Sequence, residues 1–304
     1  MTGSGGFIGQ NLLSALGGEG LDIYALDMKA PNNGGERTNW LEADLTDRDD
    51  MKAVIANTGN GFDACIHLAG QTDISRSIEL PEEDMKINVV SVMNLLSFLR
   101  FKRFIYISTG SVYEGQSGKA DQEKVLSPTM PYAVSKYTAE LYIKSFAKVK
   151  KNPVSYMILR IFNPYGPGEN RGRIMPRLIT QFGINRDPAF KIIGSGRAMV
   201  DPMYVGDTVE AIKKALYSDR ENLTIDICSG NPTDIIALTK TVALVFDIEP
   251  RIECAGRSKE EVTFFGDPEP ARELLGFRPK ITIRDGLKRY LKYLKECIPA
   301  KDGL

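Results

Sequence analysis

Tyr132 and Lys136, in the string Tyr-Ala-Val-Ser-Lys, are the residues of this chain best suited to move a proton together. On a helix, positions i and i+4 share a face, so a phenol and an ammonium so spaced can act as a pair. A phenol near pKa ~10 is mostly protonated at neutral pH. A neighbouring cation favours the phenolate, which makes Tyr132 a usable general base. In a chain with 12 tyrosines such a pair also arises by chance, so its context decides. Upstream, the apolar run Phe104 to Ile107 leads into Ser-Thr-Gly-Ser-Val-Tyr and places Ser108, Thr109 and Ser111 at the carboxyl end of a strand. Ligands of open α/β sheets bind at that end. A hydroxyl there can hydrogen-bond a reacting oxygen and pass its proton to Tyr132.

A second group of residues reads as a nucleotide site. The opening Thr-Gly-Ser-Gly-Gly-Phe-Ile-Gly supplies Gly3, Gly6 and Gly9 directly before an apolar helix. Glycines at such a turn let backbone N–H groups approach a pyrophosphate, whose charge the helix N-terminus favours. Asp27 ends the next strand, where a carboxylate can accept both ribose hydroxyls of NAD and repel a 2′-phosphate. NAD is therefore expected over NADP, a preference that Lys29 softens. Asp44, at the following strand end, is a further candidate contact to the adenine. Phe7, Ile8, Leu45, Leu68 and Ala69 complete the expected cofactor contacts, with Lys136 placed for the nicotinamide ribose.

These groups need a scaffold, and the apolar pattern provides one. Strands are expected at Leu21 to Leu26, Trp40 to Leu45, Ala64 to Ala69, Arg103 to Ser108 and Ser155 to Ile161. Helices are expected between them, near Ile8 to Leu16, Asp47 to Ala56, Asp84 to Arg100 and Ala133 to Lys148. This alternation predicts an α/β fold, a Rossmann-like doubly wound parallel sheet covered on both faces. Residues 1–162 form the expected NAD-binding domain. Residues 163–304, entered through the Gly- and Pro-rich string NPYGPGENRG, form a smaller substrate-binding domain interleaved with it. That part is expected to hold a helix near Pro176 to Gln181, a strand at Ala189 to Ile193, and helices near Asp207 to Tyr217, Thr233 to Val245 and Arg284 to Lys295. The glycine turn follows Met1 so closely that the first strand of such a sheet is expected to be missing from the chain.

Composition narrows the partners. Lysine plus arginine and aspartate plus glutamate stand at 39 each, so no net field favours nucleic acid or an acidic membrane. No apolar run is long enough to span a bilayer, and the opening residues do not resemble a secretion signal, so none is expected. Cys65, Cys228, Cys254 and Cys297 lie far apart and are expected to be reduced, mostly buried thiols of a cytoplasmic protein. With His67 as its one histidine, the chain offers little for a metal centre or a Ser-His-Asp triad.

In chain order, TGSGGFIG, CIHLAG, INVVSVMNLL, YISTGSVY, PYAVSK, RIFNPYGPG, IIGSGR, YVGD and DPEPARELLGF resemble the NAD-dependent epimerase/dehydratase family of extended short-chain dehydrogenases. The resemblance covers nearly the whole chain. It implies Thr109 as the catalytic Ser/Thr, Tyr132 as the base, Lys136 as its partner, and His67 as structural or cofactor-lining. It places Ser111 and Asn163 toward the substrate, Asn163 at its diphosphate, and offers Arg257 as a phosphate-binding arginine. Two departures matter. Sugar 4,6-dehydratases and UDP-glucuronate decarboxylases of the family carry acidic residues just after the catalytic Ser/Thr, where this chain has Gly110 and Ser111. Where the family often has Arg-Asp-Phe or Arg-Asp-Tyr, this chain has Val200-Asp201-Pro202, with Arg197 as the candidate replacement contact.

The expected activity is therefore NAD-dependent epimerisation of a nucleotide-activated sugar at C4, through a 4-keto intermediate. The alternative is an NAD(P)H-dependent reductase of nucleotide-4-ketosugars, which needs the same residues. A dehydratase and a non-catalytic NAD-sensing protein rank lower. The patterns at Asp84 to Arg100 and Ala133 to Lys148 fit a homodimer bundle or a cover for one sheet face.

Overall fold

A computed structural model describes residues 1–29, 38–149, 154–256 and 262–297. The strands used below are β1 (Ile23–Asp27), β2 (Thr38–Glu42), β3 (Gly61–His67), β4 (Arg100–Thr109), β5 (Ser155–Ile161), β6 (Ala189–Ile193), β7 (Leu223–Ile227) and β8 (Arg251–Ala255). The helices are α1 (Phe7–Leu16), α2 (Arg48–Thr58), α3 (Pro81–Met85), α4 (Ser91–Phe98), α5 (Pro131–Val149), α6 (Val205–Tyr217), α7 (Ile235–Val245) and α8 (Ile283–Cys297).

The central sheet is parallel throughout. β1 pairs with β2, and β3, β4, β5 and β7 follow one another as neighbours. Thr2 bridges Leu26 of β1 and His67 of β3, so Met1–Thr2 holds the position between them that the sequence pattern assigns to a first strand. The order β2-β1-Thr2-β3-β4-β5-β7 turns back at the glycine loop, the switch point where doubly wound sheets bind ligands. β7 was not expected from the sequence. It returns from the C-terminal half and pairs along β5, Ile225 opposite Leu159.

Both faces of the sheet are covered, which is why its strands read as apolar runs. Ile105, Leu159 and Ile225 pack on one side with Leu12 and Leu16 of α1 and Ile212 of α6. Phe104, Tyr106 and Ile158 pack on the other with Met51 of α2, Leu95 of α4 and Ile143 of α5. A second core gathers Phe182, Phe190, Leu238 and Val242 of α7, and Leu287 and Tyr290 of α8. Beside it β6 pairs in parallel with β8.

Two expectations are corrected. The helix predicted over Asp84 to Arg100 is three pieces, α3, a π-helical stretch Lys86–Val90 and α4, and it stops at Phe98 because Leu99 turns extended into β4. The cysteines are free, but only Cys65 and Cys228 are buried; Cys254 and Cys297 are exposed.

Candidate active site

The glycine turn is shaped by contacts that only glycine permits. Gly3 has φ +65°, and a Cβ on it would lie 2.4 Å from the amide nitrogen of Ala69. At Gly9 a Cβ would lie 2.2 Å from the Gly3 carbonyl oxygen, so α1 approaches the loop as closely as backbone allows. Gly6 N-caps α1 without a side-chain hydrogen bond, which leaves the first N–H groups of the helix uncapped. The Gly5 amide donates to Asp27 Oδ2 at 2.8 Å, and the Met28 amide to Asp27 Oδ1 at 2.8 Å. The half-buried Asp27 carboxylate thus stands beside the turn that carries Gly3, Gly6, Phe7, Ile8 and Gly9. Leu68 and Ala69 line its other side, the Leu68 amide donating to the Thr2 carbonyl at 3.1 Å. Asp44 Oδ1 accepts from the Thr46 amide and hydroxyl, and the Leu45 carbonyl accepts from Asn94 Nδ2. A tight glycine cradle, an uncapped helix start and a carboxylate at the next strand end fit a dinucleotide.

At the carboxyl end of β4, Thr109 caps a short 3-10 turn by accepting from the Ser111 amide at 3.1 Å. Its hydroxyl acts on the Tyr132 phenol, on the first turn of α5, and favours the phenolate. Burial raises the Tyr132 phenol; Thr109 and then the Arg173 guanidinium pull it back, and Asp84 pushes it up. Arg173, which the sequence reading did not single out, is thus a cation acting on the phenol; its Nη2 donates to the Thr72 carbonyl at 3.0 Å. Lys136 Nζ donates to the Ile107 carbonyl at 2.7 Å and sits 4.3 Å from the centroid of the Tyr106 ring. Burial lowers this ammonium to about 7, against the pull of Glu140 and Asp84. His67, stacked on Tyr106, is driven down to about 3 by burial and the nearby positive charges, so it is neutral and in contact with Thr2.

The two residues after Thr109 have no acid to offer. The Phe162 ring lies where a Gly110 side chain would go, 2.5 Å from the position of a Cβ. Glu114 accepts from the Thr129 amide and hydroxyl and from the Met130 amide, which ties it to the start of α5.

The residues expected to meet the substrate are spread more widely. Asn163 adopts φ +36°, and its Oδ1 accepts from the Asp201 amide at 2.9 Å. Asp201 is buried and holds the loop at Ser229 to Asn231, so it serves the fold. Arg197 is exposed, and Arg257 lies outside the described residues. A cleft of about 830 Å³ is lined by residues including Arg171, Arg177, Phe190, Lys191 and Arg251, and Tyr132 is not among them. Among the described residues no three His, Cys, Asp or Glu side chains gather to hold a metal, and no helix is long and apolar enough to cross a membrane.

A glycine cradle at the switch point, with tyrosine, lysine and threonine converging at the neighbouring strand ends, defines a dinucleotide-dependent enzyme of the extended short-chain dehydrogenase type. Residues 1–228 match the NAD dependent epimerase/dehydratase family, and the chain belongs to it. The UDP-glucuronate 4-epimerase of Thermodesulfobacterium geofontis is 27% identical, over 98% of this chain and 96% of its own. The human dTDP-D-glucose 4,6-dehydratase is 26% identical, over 97% of this chain and 89% of its own. The crystal structure of UDP-glucose 4-epimerase with UDP-glucose from Thermotoga maritima superposes with a TM-score of 0.87 at 24% identity, covering 97% and 98% of the two chains, a likeness of fold.

Proposed function

We propose that this protein epimerises a nucleotide-activated sugar at C4. The observation that carries this reading is the surroundings of Thr109. The Phe162 ring fills the space a side chain at Gly110 would need, and both Glu114 oxygens are engaged by the start of α5. Elimination or decarboxylation would need an acid close to the reacting carbon; epimerisation needs only the proton relay. Tyr132 takes the proton of the sugar hydroxyl, with Thr109 orienting the oxygen, and returns it when the carbonyl is reduced again. NAD, when bound, supplies the hydride acceptor and donor. Gly3, Gly6, Phe7, Ile8 and Gly9 would hold its pyrophosphate, Asp27 its adenosine ribose, Asp44, Leu45, Leu68 and Ala69 the adenine side, and Lys136 the nicotinamide ribose. Asn163 and Ser111 face the substrate, and binding energy from its nucleotide keeps the keto sugar in place while it turns.

The test is product analysis on UDP-, GDP-, CDP- and dTDP-hexoses and hexuronates with a trace of NAD. An isomer of unchanged mass without net NADH supports the reading. Loss of water or of carbon dioxide, or conversion only of a 4-keto substrate at the expense of NAD(P)H, overturns it. Asp27→Ala is expected to weaken NAD by about 10- to 100-fold, the worth of hydrogen bonds to a charged group. NADP should lose far less by calorimetry, and an equal loss would contradict the ribose assignment. The reading includes a cytoplasmic homodimer. Leu141 and Tyr142 of α5 and Met85 of α3 are exposed apolar residues suited to such a contact, and sedimentation of the intact protein tests it.

A further inference from the structure

One buried carboxylate beside the Tyr132–Lys136 pair has no part in the chemistry above. Asp84, on α3, is 1% exposed. Its Oδ1 accepts from Gln71 Nε2 at 3.2 Å and from Asn88 Nδ2 at 3.0 Å, while the buried Oδ2 has no hydrogen-bond partner. Burial raises the Asp84 carboxyl, and the Ser135 hydroxyl and then the Lys136 ammonium draw it back toward the charged form.

The same cluster leads to Lys136. Asn88 sits in the π-helical segment, a distortion common at functional sites. Its Nδ2 lies 3.1 Å from Ser135 Oγ, one residue before Lys136. A Cβ on Gly70 would meet Asn88 Oδ1 at 2.9 Å and Lys136 Nζ at 3.9 Å, so the amide and the ammonium converge on one spot. One side chain, Asn88, therefore stands between carboxylate and ammonium. The other groups facing Lys136 are Glu140 on its own helix, His67 from β3 and Tyr106 from β4. Glu140 acts on the ammonium more strongly than Asp84, but both of its oxygens are bound by Arg160, which already balances its charge. His67 is neutral, and Tyr106 offers only the face of its ring.

We propose that Asp84 is a positioning residue of the Tyr132–Lys136 pair: its carboxylate is the fixed anion that holds the Lys136 ammonium and sets the pH range in which the pair works. This rests on the roles given above to Tyr132 and Lys136. The sign follows from charge alone. An anion favours the ammonium of Lys136 and disfavours the phenolate of Tyr132, so Asp84 acts upward on both, although burial lowers Lys136 overall. Arg173 and Thr109, the other groups acting on the phenol, are untouched by a change at Asp84.

Asp84→Asn and Asp84→Ser remove the charge and keep a polar side chain. In each background the rise of phenolate absorbance with pH, minus that of the same protein carrying Tyr132→Phe, isolates Tyr132 and needs no substrate. Both variants should move this step to lower pH by about one unit. Where a substrate is turned over, both limbs of the rate profile should move the same way. Absence of turnover would count against the epimerase reading and leave the phenol titration intact as the test of Asp84. A Tyr132 step that stays in place, or moves up, in folded variants overturns the proposal. Should Asp84→Asn not accumulate as folded protein, the double variant with Lys136→Met decides. Removing both charges restores folded protein if they are partners, and fails to if Asp84 only fills space.

Discussion

Replacing Tyr132 with phenylalanine should lower turnover by about 10²- to 10⁴-fold, the usual contribution of a positioned acid–base group. The ring stays, so α5 keeps its packing; only the phenolic oxygen on which Thr109 acts is lost. Cofactor affinity should change by less than about twofold, because a lost neutral hydrogen bond that does not touch the ligand costs it little. Turnover and NAD binding measured side by side check this. Undiminished turnover would exclude Tyr132 as the base, and a parallel collapse of NAD binding would make it a cofactor contact. Burial raises the phenol, so Tyr132 can act as the base only where a nearby cation favours its phenolate.

Glu140→Ala should cost about 3–5 kcal/mol of stability, the range for stripping one partner from a buried ion pair. Arg160 binds both Glu140 oxygens, at 3.0 and 2.7 Å, with side chains 3% and 0% exposed. Ser108 donates to the same carboxylate, Arg160 Nη1 donates to the Tyr113 hydroxyl, and Tyr113 donates to Asp226. Burial raises the Asp226 carboxyl to about 6, so this end of the chain of contacts carries a weakly acidic group. The network ties the end of β4, the middle of α5, β5 and β7 into one unit. Without Glu140 a guanidinium is left in a dry interior, whereas Glu140→Met with Arg160→Met together should cost much less. Denaturant unfolding of the three proteins measures the difference. A loss below about 1 kcal/mol for Glu140→Ala would place the pair with weak surface contacts.

Glu140 also illustrates how a sequence signal passes unread. It lies on the same helical face as Tyr132 and Lys136, at the next i+4 position, and that spacing is visible in the chain. Its partner Arg160 is on a strand whose apolar run hides a charge, and nothing local joins the two. Glu114 is similar: near the hydroxyl string in sequence it resembles a displaced catalytic acid, and three hydrogen bonds to Thr129 and Met130 make it a helix-start anchor.

What the chain determined by itself was local. The apolar period marked the strand Ser155–Ile161 and the strand Ala189–Ile193 at their observed bounds. The glycine spacing fixed the turn before α1, because a Cβ at Gly3 or Gly9 would overlap backbone. The family's strings fixed the order in which Thr109, Tyr132 and Lys136 arrive. Tertiary structure decided the rest, because charge and burial depend on neighbours distant in sequence. It brought β7 back into the sheet, added Arg173 as a cation acting on the Tyr132 phenol, and placed Phe162 against Gly110. It also left Asp84 buried and joined through Asn88 to Ser135, next in sequence to Lys136, an arrangement that no local pattern describes.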